Sequence, residues 1–195
     1  MLPNDKKGFK AAKNDKFSTH ALLNENDNDQ SLSSDEQDDI FFLIYRKAHT
    51  LFQAGKLWMR RMRYHDAQRA FEKAITRLKT CKTSSFEQQC RKKDMLIALF
   101  ESLMICFNKM RQSRCVCYVM KELRLLTINN PSALALCQHG RALSDLGKYH
   151  PSRLCYIKAL KKRPRDQGIK DKITRISKRI TELEDTNQML SQLSI

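Results

Sequence analysis

Residues Ser132 to Pro164, SALALCQHGRALSDLGKYHPSRLCYIKALKKRP, decide how the rest of the chain is read. They hold two short amphipathic helical patterns interrupted at Leu146-Gly147-Lys148-Tyr149. Small side chains fall where two helices would touch, Gly140 on the first and Ser152 and Ala159 on the second. Tyr156 stands three residues before Ala159, and Pro164 closes the unit. A glycine at a crossing point lets two helix backbones approach. The aromatic four residues after Ser152 is expected to fill the gap to a neighbouring unit. The spacing predicts a helix–turn–helix unit of about 34 residues.

One such unit cannot bury its own apolar face, so at least three are expected. Upstream, Gly55, Trp58, Ala67, Phe71 and Ala74 fit the same template, with Tyr64 where Tyr149 stands later. The middle unit is degenerate: Phe100, Leu103, Val116, Met120 and Leu123 keep the apolar slots, but the small residues are gone. These spacings are the tetratricopeptide (TPR) signature. They place repeats at about 48–81, 97–130 and 133–166. The expected fold is all-α: three TPR hairpins forming a right-handed solenoid, plus a C-terminal capping helix over about 167–192. That last helix carries Ile169, Ile173, Ile176, Ile180 and Leu183 at alternating spacings of four and three, a stripe suited to cover the open end of a repeat array.

Composition agrees with helices. The 195 residues contain 5 Gly and 4 Pro and show no β-type alternation. Residues 1–34 are polar and read as a disordered tail, leaving 35–193 as the TPR domain. Ser34 with Gln37, and Ser85 with Gln88, have the spacing of capping boxes at helix starts. Residues 1–40 hold 5 Lys against 9 Asp or Glu, and residues 41–195 hold 32 Lys or Arg against 12, so the net +16 divides into −4 and +20. No apolar run is long enough to span a membrane, and no secretory leader is expected from the N-terminal residues. The seven cysteines scatter along helices and read as reduced thiols of a cytoplasmic protein, with KKRPR as a nuclear-import alternative. Cys115-Val-Cys117 on a helix points its thiols about 200° apart, so no metal site is expected. Neither a nucleophile–base pattern around the five histidines nor a phosphate loop is present, which argues against an enzyme and against a cofactor.

The two clear repeats, the degenerate middle one, the extended helices between them and the long basic last helix resemble the TPR domain of FKBP-type immunophilins. RYHDAQRAFEKAITRL and RQSRCVCYVMKEL look closest to the germline Shutdown branch of that family. The resemblance covers about 41–185 and does not include the family's isomerase domain. It implies a non-catalytic protein-interaction adaptor of the co-chaperone type. In the Shutdown branch this further implies small-RNA loading onto Argonaute-class proteins, within piRNA-dependent transposon silencing.

Members of the family hold the acidic tail of heat-shock chaperones with a clamp of Lys, Asn, Asn, Lys and Arg. Here those positions read Phe52, Lys56, Ser102, Leu134 and Gln138, so the usual carboxylate clamp is absent. The expected concave groove is lined by Phe52, Lys56 and Arg60 from the first repeat, by Ala98, Ser102 and Ile105 from the second, and by Leu134, Gln138 and Arg141 from the third. Its occupant is read as an amphipathic or extended segment of a protein partner. The alternative phasing makes these residues partly core. A second functional reading is direct nucleic-acid binding through Lys161, Lys162, Arg163 and Arg165, together with Lys172, Arg175 and Arg179 on the last helix.

Overall fold

The computed structural model describes residues 34–193. Seven helices and no strand occur among them, so the all-α expectation is met: α1 (Ser34–Arg60), α2 (Tyr64–Thr80), α3 (Phe86–Lys109), α4 (Ser113–Leu126), α5 (Ala133–Asp145), α6 (Tyr149–Lys162) and α7 (Gln167–Leu193). The polar stretch expected to be disordered lies, but for its last residue, outside the described residues, as does the Ser34 side chain of the first capping box. Each helix packs on its chain neighbour, and α3 also touches α1 and α5. The first helices of the three hairpins α1/α2, α3/α4 and α5/α6 are therefore adjacent.

The hairpin turns share one backbone solution. Met62, Arg111 and Gly147 adopt φ of 58°, 57° and 74°, the left-handed conformation that ends a helix. In each turn the next N–H reaches five residues back: Arg63 to Trp58, Gln112 to Phe107 and Lys148 to Leu143, at 2.9, 2.8 and 2.8 Å. Only the third turn places a glycine there, the residue free of the Cβ clash.

Inside each hairpin one contact decides how close the helices come. A Cβ on Gly55 would lie 2.3 Å from the Phe71 ring, and one on Gly140 would lie 3.1 Å from the Tyr156 ring. The aromatic expected to fill the gap to a neighbouring repeat instead covers the glycine of its own hairpin. The reason is geometric. Phe71 and Tyr156 sit on the second helix directly over the crossing point, where the missing side chain leaves room for a ring. In the middle hairpin Met104 and Met120 take the corresponding places, both fully buried. Two flexible side chains that adapt to an irregular space there replace the glycine–aromatic pair.

The extended N-terminal part of α1 is tied down by Asp38. Its Oδ1 accepts from Gln88 Nε2 at 2.8 Å and from the Ser84 hydroxyl. Gln88 is itself placed by the cap of α3, where Ser85 Oγ accepts from the Gln88 N–H at 3.2 Å. This clasp brings Phe41 into full burial and leaves Ile40, Phe42 and Leu43 exposed. On α7, Ile169, Ile176 and Ile180 are buried and Ile173 is half-buried. Leu183, the last residue of the stripe, is exposed.

Candidate protein-binding groove

The groove residues named from sequence lie on α1, α3 and α5, and each is placed by its own helix phase. Phe52 is half-buried. Its ring centroid lies 5.9 Å from that of Phe71, so its inner side rests on the core. Lys56 Nζ stands 5.3 Å from the centre of the Phe52 ring, which ties this cation to an aromatic face. Ala98, Ser102, Ile105 and Leu134 are half-buried. The Ser102 hydroxyl donates to its own helix, to the Ala98 carbonyl at 2.9 Å, and so offers little to a ligand. Arg60 and Arg141 are exposed.

Gln138 is committed to a neighbour. Asn108 on α3 donates through Nδ2 to the Gln138 backbone carbonyl at 2.9 Å and to its side-chain Oε1 at 2.7 Å. Asn108 is buried, and its Oδ1 has no partner among the described residues. This amide clip fixes α5 against α3. Glu101 adds a second tie by accepting from the Ser132 hydroxyl, the residue that also caps α5. Helix phase puts Asn108 and Glu101 on the same face of α3 as Ser102 and Ile105 but does not reveal that they staple successive hairpins. The amphipathic pattern shows which face a residue occupies, not which partner it finds.

The groove that results carries few groups suited to anions. Of the five clamp positions, one is a lysine lying over an aromatic ring, one a hydroxyl bonded to its own helix and one an amide engaged across the hairpin seam. The other two, Phe52 and Leu134, are apolar and half-buried, and with Ile105 they supply one apolar residue from each hairpin.

The basic residues are dispersed differently. Lys161, Lys162, Arg163, Arg165, Lys172 and Arg175 are exposed. Lys162 donates to Asn130, and Lys172 Nζ lies 5.8 Å from the Tyr156 ring centre. Arg179 bonds to Glu182 at 3.1 Å, and Tyr149 at the third turn acts on it electrostatically. All seven cysteines are free thiols. Burial pushes the Cys106 thiol up to about 12 and also raises Cys117, Cys137 and Cys155. Among the described residues no group of three or more His, Cys, Asp or Glu is placed to hold a metal ion. No described helix is long and apolar enough to cross a membrane.

Three stacked helical hairpins closed by a long amphipathic helix define a TPR domain. Known proteins agree, although no family model matches the chain. It is 39% identical, over 153 residues, to the inactive peptidyl-prolyl cis-trans isomerase shutdown of Drosophila melanogaster. The match takes in 78% of this chain and 34% of that protein, so the chain spans about a third of the length of its relative. The solved C-terminal TPR-containing domain of an FK506-binding protein from Plasmodium falciparum superimposes with a TM-score of 0.66 at 15% identity, covering 80% of this chain and 97% of that domain. The resemblance to the TPR domain of FKBP-type immunophilins, with Shutdown among the relatives, is thus shown, and the fold with it.

Proposed function

We propose that the chain is a non-catalytic adaptor whose groove holds an apolar segment of a protein partner, and that it serves in germline small-RNA silencing as a co-chaperone-type factor. The observation that carries the reading is the loss of the cationic clamp, with Phe52 and Leu134 at two of its positions and Ile105 between them, all half-buried on three adjacent helices. Half-buried apolar residues stacked across repeats suit an amphipathic helix or an extended strand better than a terminal carboxylate. The name of the Drosophila relative, an inactive isomerase, supports a role without catalysis. The resemblance of the sequence to the Shutdown branch is the ground for proposing Argonaute-class proteins, and chaperones that serve them, as partners.

The test is quantitative pull-down from germline tissue with the wild-type chain and with Phe52→Ala/Leu134→Ser. Apolar anchors contribute about one to a few kcal/mol each, so the double change should lower capture by about a hundredfold. Phe52 also touches Phe71, so Ile105→Glu/Leu134→Glu provides a version that spares that contact. Retained helicity with retained capture in both variants would move the partner site off the groove.

A further inference from the structure

We propose that the edge formed by the three hairpin turns binds single-stranded nucleic acid through its phosphates, a binding activity distinct from that of the groove, with which the edge shares only Arg60. The turns are equivalent in backbone, with the left-handed residue at 62, 111 and 147, so stacking of the hairpins brings them to one edge. The second and third are in contact, since the Ser113 hydroxyl at the second reaches Asp145 Oδ2 at the third, at 3.4 Å.

Cations concentrate on this edge. Arg60, Arg61 and Arg63 surround Met62, Lys109 and Arg114 flank Arg111, and Lys148 follows Gly147. The nearby acids are few and engaged. Asp66 pairs with Arg63 at 2.6 Å, and Asp145 takes the Ser113 hydroxyl. Arg61, Arg111 and Arg114 are exposed and enter none of the ion pairs among the described residues. Such a row leaves positive charge uncompensated in water, and an anionic polymer would release counterions on binding it.

The residue types favour nucleic acid over a general anion. Five of the seven cations are arginines, whose planar fork matches phosphate oxygens two at a time. Two of them flank an indole: Arg63 and Arg61 lie 4.3 and 5.7 Å from the Trp58 ring centre. Guanidinium planes held this way are surfaces on which unstacked bases settle. At about 10 Å per packed helix the three turns span about 20 Å. That suits a short single strand, at the low end of the roughly 4–16 nucleotides that single-strand sites cover.

The test uses the full chain and a fluorescent oligouridylate of about 12 nucleotides, followed by anisotropy across a salt series. Arg61→Gln/Arg111→Gln/Arg114→Gln removes three edge charges, and Lys170→Gln/Arg175→Gln/Lys178→Gln removes three from α7. The edge variant should lose about tenfold or more in affinity near 0.1 M salt, with the log–log salt slope shallower by about two. The α7 variant should lose less than about threefold. Should the edge triple variant lose helicity, Arg61→Gln/Arg114→Gln, which leaves the Arg111 turn intact, carries the comparison. Equal losses in both sets would mean diffuse charge, and absence of wild-type binding would mean no nucleic-acid site; either overturns the proposal. So would edge-dependent capture by anionic phosphatidylserine vesicles with unchanged RNA affinity, which would make this edge, with its protruding Met62, a membrane contact.

Discussion

Replacing Gly55 by alanine separates close packing from helix propensity, because the two act in opposite directions. In an open helix the change would stabilise by about 1 kcal/mol. Here the new Cβ meets three atoms of the Phe71 ring at 2.3 to 2.8 Å, well inside van der Waals contact. Phe71 is fully buried, and Phe52 lies against it, so the ring has no free direction in which to withdraw. Overpacking of this kind costs about 1–3 kcal/mol and occasionally more. The close contact puts Gly55→Ala at the upper end, so the net effect should be a loss of about 1–2 kcal/mol. For a domain of this size that lowers Tm by about 2–8 °C. Gly140→Ala provides the internal control: its Cβ meets Tyr156 at 3.1 Å, a distance a small shift relieves, and the outcome should fall within about 1 kcal/mol of neutral. Urea and thermal unfolding of the two variants, with Gly55→Ala/Phe71→Leu closing a cycle, measure the terms. The cycle should show a favourable coupling of about 1 kcal/mol or more. Gly55→Ala as stable as the wild type would refute the account of how the first hairpin is closed.

The turns offer the opposite experiment. Met62→Gly and Arg111→Gly should each stabilise by about 0.5–1 kcal/mol in denaturant unfolding, since both residues hold a positive φ at a cost glycine avoids. The pH dependence of stability should carry a mark of His139, which is buried with its Nδ1 3.4 Å from Cys155 Sγ and whose pKa desolvation, followed by the charge of Arg124, lowers to about 4. The unfolded chain takes up a proton near pH 6.5 that the folded chain refuses, so this contribution is full above that pH and is lost as pH falls towards about 4; His139→Gln should flatten the unfolding profile in that window. A peptide ending in an acidic chaperone tail should show negligible heat in calorimetry, and low-micromolar binding lost in Lys56→Ala would place a working clamp in the groove after all.

The architecture was legible because TPR periodicity is written twice in this chain, once around Gly55 and once around Gly140. The degenerate middle repeat could be placed by its apolar slots, since a core needs volume more than identity: Met104 and Met120 fill what a glycine and an aromatic fill on either side. The direction in which the aromatics point was not legible. A small residue and a ring sixteen positions apart are compatible with closing one hairpin or bridging two, and the choice depends on the crossing geometry of the helices. The Asp38 clasp was hidden for a related reason. Its partners lie 46 and 50 residues away, beyond what the capping signal at Ser85 reports.

The two surfaces proposed here differ in the same respect. Groove positions follow from helix phase, so the sequence names them, and the structure adds what each side chain is already bound to: Gln138 to Asn108, Lys56 to Phe52, Ser102 to its own helix. Those internal commitments decide the chemistry. A groove whose polar groups are spent on the fold presents its apolar residues, which is why the proposed partner segment is apolar and not the charged chaperone tail. The basic edge is assembled from short turns far apart in sequence, none of which is a conspicuous charge run. The cations of the conspicuous run, KALKKRPR, are exposed but spread over a helix end and the loop after it. Three repeat turns concentrate arginine only because the solenoid stacks them, so the edge becomes visible at the level of the repeat and not of the residue string. Charge removed at the stacked turns and charge removed from α7 are equal in composition and unequal in position, which is why comparing them tests the arrangement itself.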